Sequence, residues 1–121
     1  MTPQEYTKHA LRTLYPDLTT NKRLSLCGLG MAGEVGEIAD LLKKYLHHRN
    51  GKALDVEKIK DEMGDVLWYM TVLGDTLGFT LEEAMRANVA KLEKRHGNGF
   101  TPNYASDSNA SLIRDASTMK Y

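Results

Sequence analysis

Apolar residues returning at intervals of three and four along two long stretches restrict this chain to packed helices. From about Asn21 to Arg49, the residues Leu24, Met31, Val35, Ile38, Leu42 and Tyr45 share one side of a helix. Asn50-Gly51 ends that run, and Asp55 can cap a second one reaching about Leu77. Two shorter helices flank the pair. Thr2-Pro3-Gln4-Glu5 reads as a capping box opening a helix that carries Tyr6, Ala10 and Leu14 and ends before Pro16. Gly78 breaks the chain after Leu77, and Thr80 with Glu83 forms a second capping box, whose helix ends near His96-Gly97-Asn98-Gly99. No segment alternates with period two. The expected fold is therefore all-α, a helical bundle with two long antiparallel central helices. A helical domain over residues 1–100 is followed by a tail from Thr101 to Tyr121 rich in Ser, Asn, Asp and Thr, expected to be irregular.

Four carboxylates sit on the central helices in two matched pairs, Glu34 and Glu37 in GEVGE and Glu62 and Asp65 in DEMGD. At about 100° per residue, Glu34 lies within the arc of Leu41, Ile38, Leu42 and Val35, and Glu37 borders it. The second helix repeats the pattern, with Glu62 inside the arc of Tyr69, Val66, Met70 and Met63 and Asp65 at its edge. Surface helices carry many carboxylates three apart, and one such pair alone reads best as a solvated face paired with Lys44 or Lys58. Two pairs at equivalent angles are different. Ionised carboxylates facing a helix interface are costly unless paired or metal-bound, so a cation is expected between them. All-oxygen ligation suits Mg²⁺, with Mn²⁺ as a substitute, over zinc or copper. A di-iron site would want Glu-x-x-His, and the matching position holds Asp65.

Lys58 lies one turn before Glu62, and Asn88, Lys91 and Arg95 follow one another at i, i+3 and i+7 on the last helix, in one arc with Leu81, Ala84 and Leu92. Cationic side chains beside metal-binding carboxylates are what a polyphosphate requires. Taken alone, the cluster is more often a face of snorkelling side chains. Other features carry less. Gly28-Leu29-Gly30-Met31-Ala32-Gly33 matches G-x-G-x-x-G with Asp55 further on, but helical periodicity runs through it and no strand precedes it; these glycines are expected to permit close helix contact. His47 and His48 suit a helix C-terminus. Cys27, alone in the chain, falls on an apolar side and is expected in the core. Trp68 and Val72 lie outside the main apolar arc of their helix, which is then apolar on two sides, and the second side is expected to meet another subunit.

The formal net charge is zero, which argues against broad nucleic-acid or membrane-surface binding. The longest largely apolar run, Val66 to Leu73, is far short of the roughly 20 residues of a membrane span, and no charged-then-apolar leader opens the chain, so a cytoplasmic location is expected. At 121 residues the burial available to one copy is modest, and association would help.

The segments GLGMAGEVGEIADLLKKYLHH, DEMGDVLWYM and LGFTLEEAMRANVAKLEKRHGNGF, in that order over about residues 21–100, resemble the MazG-like family of all-α nucleoside triphosphate pyrophosphohydrolases. The resemblance implies Mg²⁺-dependent cleavage between the α and β phosphates of a (deoxy)nucleoside triphosphate, giving a monophosphate and pyrophosphate, as in nucleotide-pool housecleaning. It implies Glu34, Glu37, Glu62 and Asp65 as metal ligands, with Glu34 or Glu37 as water-activating base, and Lys58, Asn88, Lys91 and Arg95 as phosphate contacts. It further implies an active unit of paired subunits, a homodimer or dimer of dimers. The tail matches no pattern of the family. From a different class, a helical interaction module whose acidic site binds a structural cation would account for the same carboxylates.

Overall fold

The computed structural model describes residues 1–48, 52–97 and 99–100. Four helices account for most of them, α1 (Pro3–Leu11), α2 (Thr20–His47), α3 (Val56–Leu77) and α4 (Leu81–His96), and no strand occurs among the described residues. The fold is all-α, as the periodicity requires. The turn at Asn50-Gly51 and the tail beyond Phe100 lie outside the described residues. The described chain forms two compact units, one through Ala84 and one from Met85, so that α4 begins in the first and continues in the second.

Local chemistry sets the helix ends. Thr2 accepts from the Glu5 N–H at 3.1 Å while the Glu5 carboxylate accepts from the Thr2 N–H at 2.7 Å, and Pro3 occupies the first helical position. Thr19 caps α2 and Asp55 caps α3 by accepting from the Lys22 and Lys58 N–H groups. Gly78 adopts the left-handed conformation at φ 87°, which lets Phe79 N–H donate back to the Gly74 carbonyl at 2.9 Å and closes α3. Thr80 and Glu83 then form the capping box that opens α4, with bonds of 2.6 and 3.1 Å.

Contacts between α2 and α3 run in opposite residue order, from Arg23 against Asp75, through Gly30 against Tyr69, to Glu34 against Glu62 and Asp65. The two central helices are antiparallel. Helix α1 lies on α3, where the Trp68 indole N–H donates to the Ala10 carbonyl at 3.2 Å and to the Thr13 hydroxyl at 2.8 Å. This corrects one expectation. The second apolar side of α3, at Trp68 and Val72, is satisfied within the chain: Trp68 is half-buried on α1 and Val72 is fully buried.

Among the described residues the buried hydrophobic ones are Ala10, Cys27 and Val72, joined by Thr71, whose hydroxyl donates to the Leu67 carbonyl. Cys27 is a core residue as expected, and burial raises its thiol pKa. Other apolar residues of the central pair stay open. Val35 is 52% and Met63 60% exposed, and together with Ile38, Val66 and Met70 they border an apolar hollow of about 400 Å³. In the second unit, Met85, Val89 and Leu92 on α4 are also exposed. Gly97 ends α4 in the left-handed region at φ 57°.

Candidate metal centre

The carboxylate site is built where α2 and α3 approach closely. At Gly30 a Cβ would collide with the Cε1 and Cζ atoms of Tyr69, so glycine is what admits the Tyr69 ring this close to the α2 backbone. Glu34 is the next residue along this face of α2, one turn beyond Gly30, and Asp65 is one turn before Tyr69 on α3. The contact therefore adjoins the place where the acidic residues meet. The neighbouring glycines Gly28 and Gly33 face open space, so the role read from the sequence for this stretch belongs to Gly30 alone. The whole G-x-G-x-x-G match lies inside α2.

Glu34, Glu62 and Asp65 each place one carboxylate oxygen within 4.8 Å of the others. Glu34 and Glu62 are half-buried and Asp65 is exposed. Crowding shows in the pKa of Glu34, which is raised above the ordinary carboxylate value, first by a shared hydrogen bond with Glu62, then by desolvation and by the charges of Glu62, Asp65 and Glu37. Glu37 stands apart from this three-way cluster yet close enough for its charge to be felt there. The structure thus divides the four acidic residues into three that converge and one at their border.

The other polar groups bound the site. Tyr6 of α1 is half-buried, and its phenol is made less acidic by burial and then by the negative charge of Asp65, which puts α1 on the same flank of α3 as that carboxylate. Nothing in the spacing of Tyr6 relates it to Asp65, so this neighbour was not legible in the sequence. Lys58 is exposed in the first turn of α3. Lys44 turns to Asp40 at 2.5 Å, and Lys43 joins the same carboxylate at 3.0 Å, holding the Asp40 pKa at about 2. Arg23 pairs with Asp75 and Lys60 with Glu57, and none of these ion pairs involves the four acidic residues of the site. Asn88, Lys91 and Arg95 are exposed on the part of α4 that belongs to the second unit.

Three convergent carboxylates, with Glu62 and Asp65 raising the proton affinity of Glu34 and none of the three in the ion pairs above, fit a hard divalent cation. A donor set of oxygens alone, lacking His and Cys, fits Mg²⁺ or Mn²⁺ better than zinc.

Residues 24–100 match the MazG nucleotide pyrophosphohydrolase domain, and that segment includes α3, α4, nearly all of α2 and every acidic residue of the site. The chain belongs to the MazG family. Among proteins similar to this MazG chain, the Gene 37 protein of Mycobacterium phage L5 is 33% identical over 91 residues, covering 71% of this chain and 80% of the phage protein. An uncharacterized protein of Bacillus subtilis (strain 168), YvdC, is 33% identical over 69 residues, covering 51% of this chain and 65% of its own length. No solved structure matches the chain significantly. In this MazG chain no helix among the described residues is long and apolar enough to cross a membrane.

Proposed function

We propose that this protein is a Mg²⁺-dependent nucleoside triphosphate pyrophosphohydrolase that cleaves the bond between the α and β phosphates and releases a nucleoside monophosphate and pyrophosphate in the cytoplasm, as part of nucleotide-pool housecleaning. The observation that carries this reading is the convergence of Glu34, Glu62 and Asp65 within 4.8 Å inside a segment of the MazG family.

In this reading Glu34, Glu62 and Asp65 hold the cation, and Glu37 stands at the border of the group. Once bound, Mg²⁺ or Mn²⁺ would supply the positive charge that gathers the triphosphate and acidifies a water. Glu37 is the better placed of the two candidate bases, because its carboxylate is outside the three-way cluster and can accept the proton of the attacking water. Water oxygen bonds to the attacked phosphorus, and the bridging oxygen between the α and β phosphates leaves with pyrophosphate. Lys58, one turn from Glu62, offsets charge on the phosphates. Asn88, Lys91 and Arg95 are assigned to phosphate binding on the family resemblance alone.

The functional unit in this reading is a homo-oligomer, a dimer or a dimer of dimers. Its support is the open apolar side of the central helices around Val35, Met63 and Met70, which a second copy of the chain would cover.

The test is pyrophosphate release from a panel of ribo- and deoxyribonucleoside triphosphates with Mg²⁺. Asp65→Ala and Glu37→Ala should lose turnover by at least about 100-fold, in the range seen when a group that stabilises transition-state charge is removed, while the helical CD signal persists. Near-normal turnover in either variant would remove that residue from the mechanism. Stabilisation of the fold by Mg²⁺ with no further effect of a nonhydrolysable triphosphate would favour a structural cation in an interaction module.

A further inference from the structure

The end of the α2 and α3 pair nearest their connection holds a cavity of about 290 Å³ that the carboxylate site does not use. Leu41 and Tyr45 of α2 and Leu54, just ahead of α3, form its apolar walls, and His48 and Lys52 add polar groups at its rim. Leu41 and His48 follow Glu34 by seven and fourteen residues, and Asp55, also at the cavity, precedes Glu62 by seven. Steps of seven return nearly to the same side of a helix, so cavity and carboxylates share one α2–α3 seam. Leu41 and Asp55 stand seven residues, about 10 Å, from Glu34 and Glu62 along the helices, and Tyr45 stands eleven residues, about 16 Å, from Glu34. The α phosphate, its 5′ ester link and a pentose together span the nearer distance, and helical side chains such as that of Tyr45 tilt back toward the N-terminus and so toward Glu34.

Charge decides which part of a nucleotide suits the cavity. The Lys44 ammonium is committed to Asp40, and the Asp55 carboxylate accepts the Lys58 N–H as the α3 cap. Lys43 shares that Asp40 carboxylate, so three lysines meet two aspartates around the cavity and an excess of about one positive charge remains. One cation is short of what a polyphosphate draws. A flat, neutral heterocycle fits better, stacked against Tyr45 between leucine walls, with its polar edge toward Lys52 and His48. Lys52 donates and cannot accept, so that edge should carry carbonyl oxygens.

We infer that this cavity is the nucleobase subsite, and that it selects bases presenting carbonyl acceptors, such as uracil, thymine and guanine, over adenine. The inference rests on the pyrophosphohydrolase reading. It gives that site its specificity through Tyr45 as stacking platform and Lys52 as donor.

The experiment measures kcat/KM of the full chain with Mg²⁺ for the deoxynucleoside triphosphates of uracil, thymine, guanine, cytosine and adenine, in wild type, Tyr45→Ala and Lys52→Met. Wild type should turn over the carbonyl-rich bases best. Lys52→Met should shrink their advantage over adenine about tenfold, the loss of one charge-assisted hydrogen bond. Tyr45→Ala should raise KM across the panel more than it lowers kcat. Lys52 lies outside the helices and is exposed, so its variant has no folding requirement to confound the result. Turnover with an unchanged base ranking in Lys52→Met and unchanged KM in Tyr45→Ala would overturn the subsite and leave the pyrophosphohydrolase reading standing. No turnover of any triphosphate by wild type would overturn that reading itself.

Discussion

Glu34 is the residue whose state depends most on its neighbours. Its folded pKa is raised by the hydrogen bond with Glu62, by desolvation and by three nearby negative charges. A raised carboxylate pKa means that the native state binds the proton more tightly than the unfolded chain. Its contribution to stability is thus fully present below the ordinary carboxylate range and is lost as pH rises through the folded pKa of Glu34. Metal-free protein should therefore melt at higher temperature near pH 5 than at pH 7 to the extent that Glu34 governs the difference, and Glu34→Gln should flatten that dependence. Melting curves of the metal-free protein over this range check it; an identical slope in wild type and variant would mean that the carboxylates do not crowd. The other residue-scale expectation concerns Gly30. Gly30→Ala places a methyl group in the Tyr69 ring, and overpacking of this kind should cost about 1–3 kcal/mol. Urea denaturation measures it, and Tyr69→Ala in the same chain should recover part of the loss.

At the scale of elements, α1 is held to α3 by the Trp68 indole as well as by apolar contact. Trp68→Phe keeps an aromatic ring and loses both bonds, so it should destabilise by about 1–2 kcal/mol, seen in denaturant unfolding with an unchanged m value. The helices themselves were legible in the sequence, because their ends are written in residues with local effects: Thr2 with Glu5, Asp55, Gly78, and Thr80 with Glu83 all act within a few positions of themselves. The meeting of Glu34 with Glu62 and Asp65 was legible too, since both pairs hold equivalent angles on helices that must pack. What escaped was which helix covers which face. Trp68 and Val72 read as a free side from their angle alone, and only the long-range bond from Trp68 to Ala10 shows that α1 takes it. Tyr6 beside Asp65 escaped for the same reason. The pairing of Lys43 and Lys44 with Asp40 is local, at i+3 and i+4, and the spacing could have found it.

Among the described residues few side chains are fully buried, and Val35, Met63 and Met70 stay open on the central pair. If a second copy covers them, Val35→Glu with Met63→Glu should shift the protein from oligomer to monomer in sedimentation analysis, while the wild type sediments above the monomer mass; a monomeric wild type would contradict the proposed assembly. The account as a whole rests on the convergent carboxylates performing one reaction. Phosphorus NMR of a deoxynucleoside triphosphate incubated with the protein and Mg²⁺ tests it most directly. The expected spectrum gains nucleoside monophosphate and pyrophosphate in equal amounts, and neither forms with Asp65→Ala; orthophosphate with a nucleoside diphosphate, or the same products from Asp65→Ala, would contradict it.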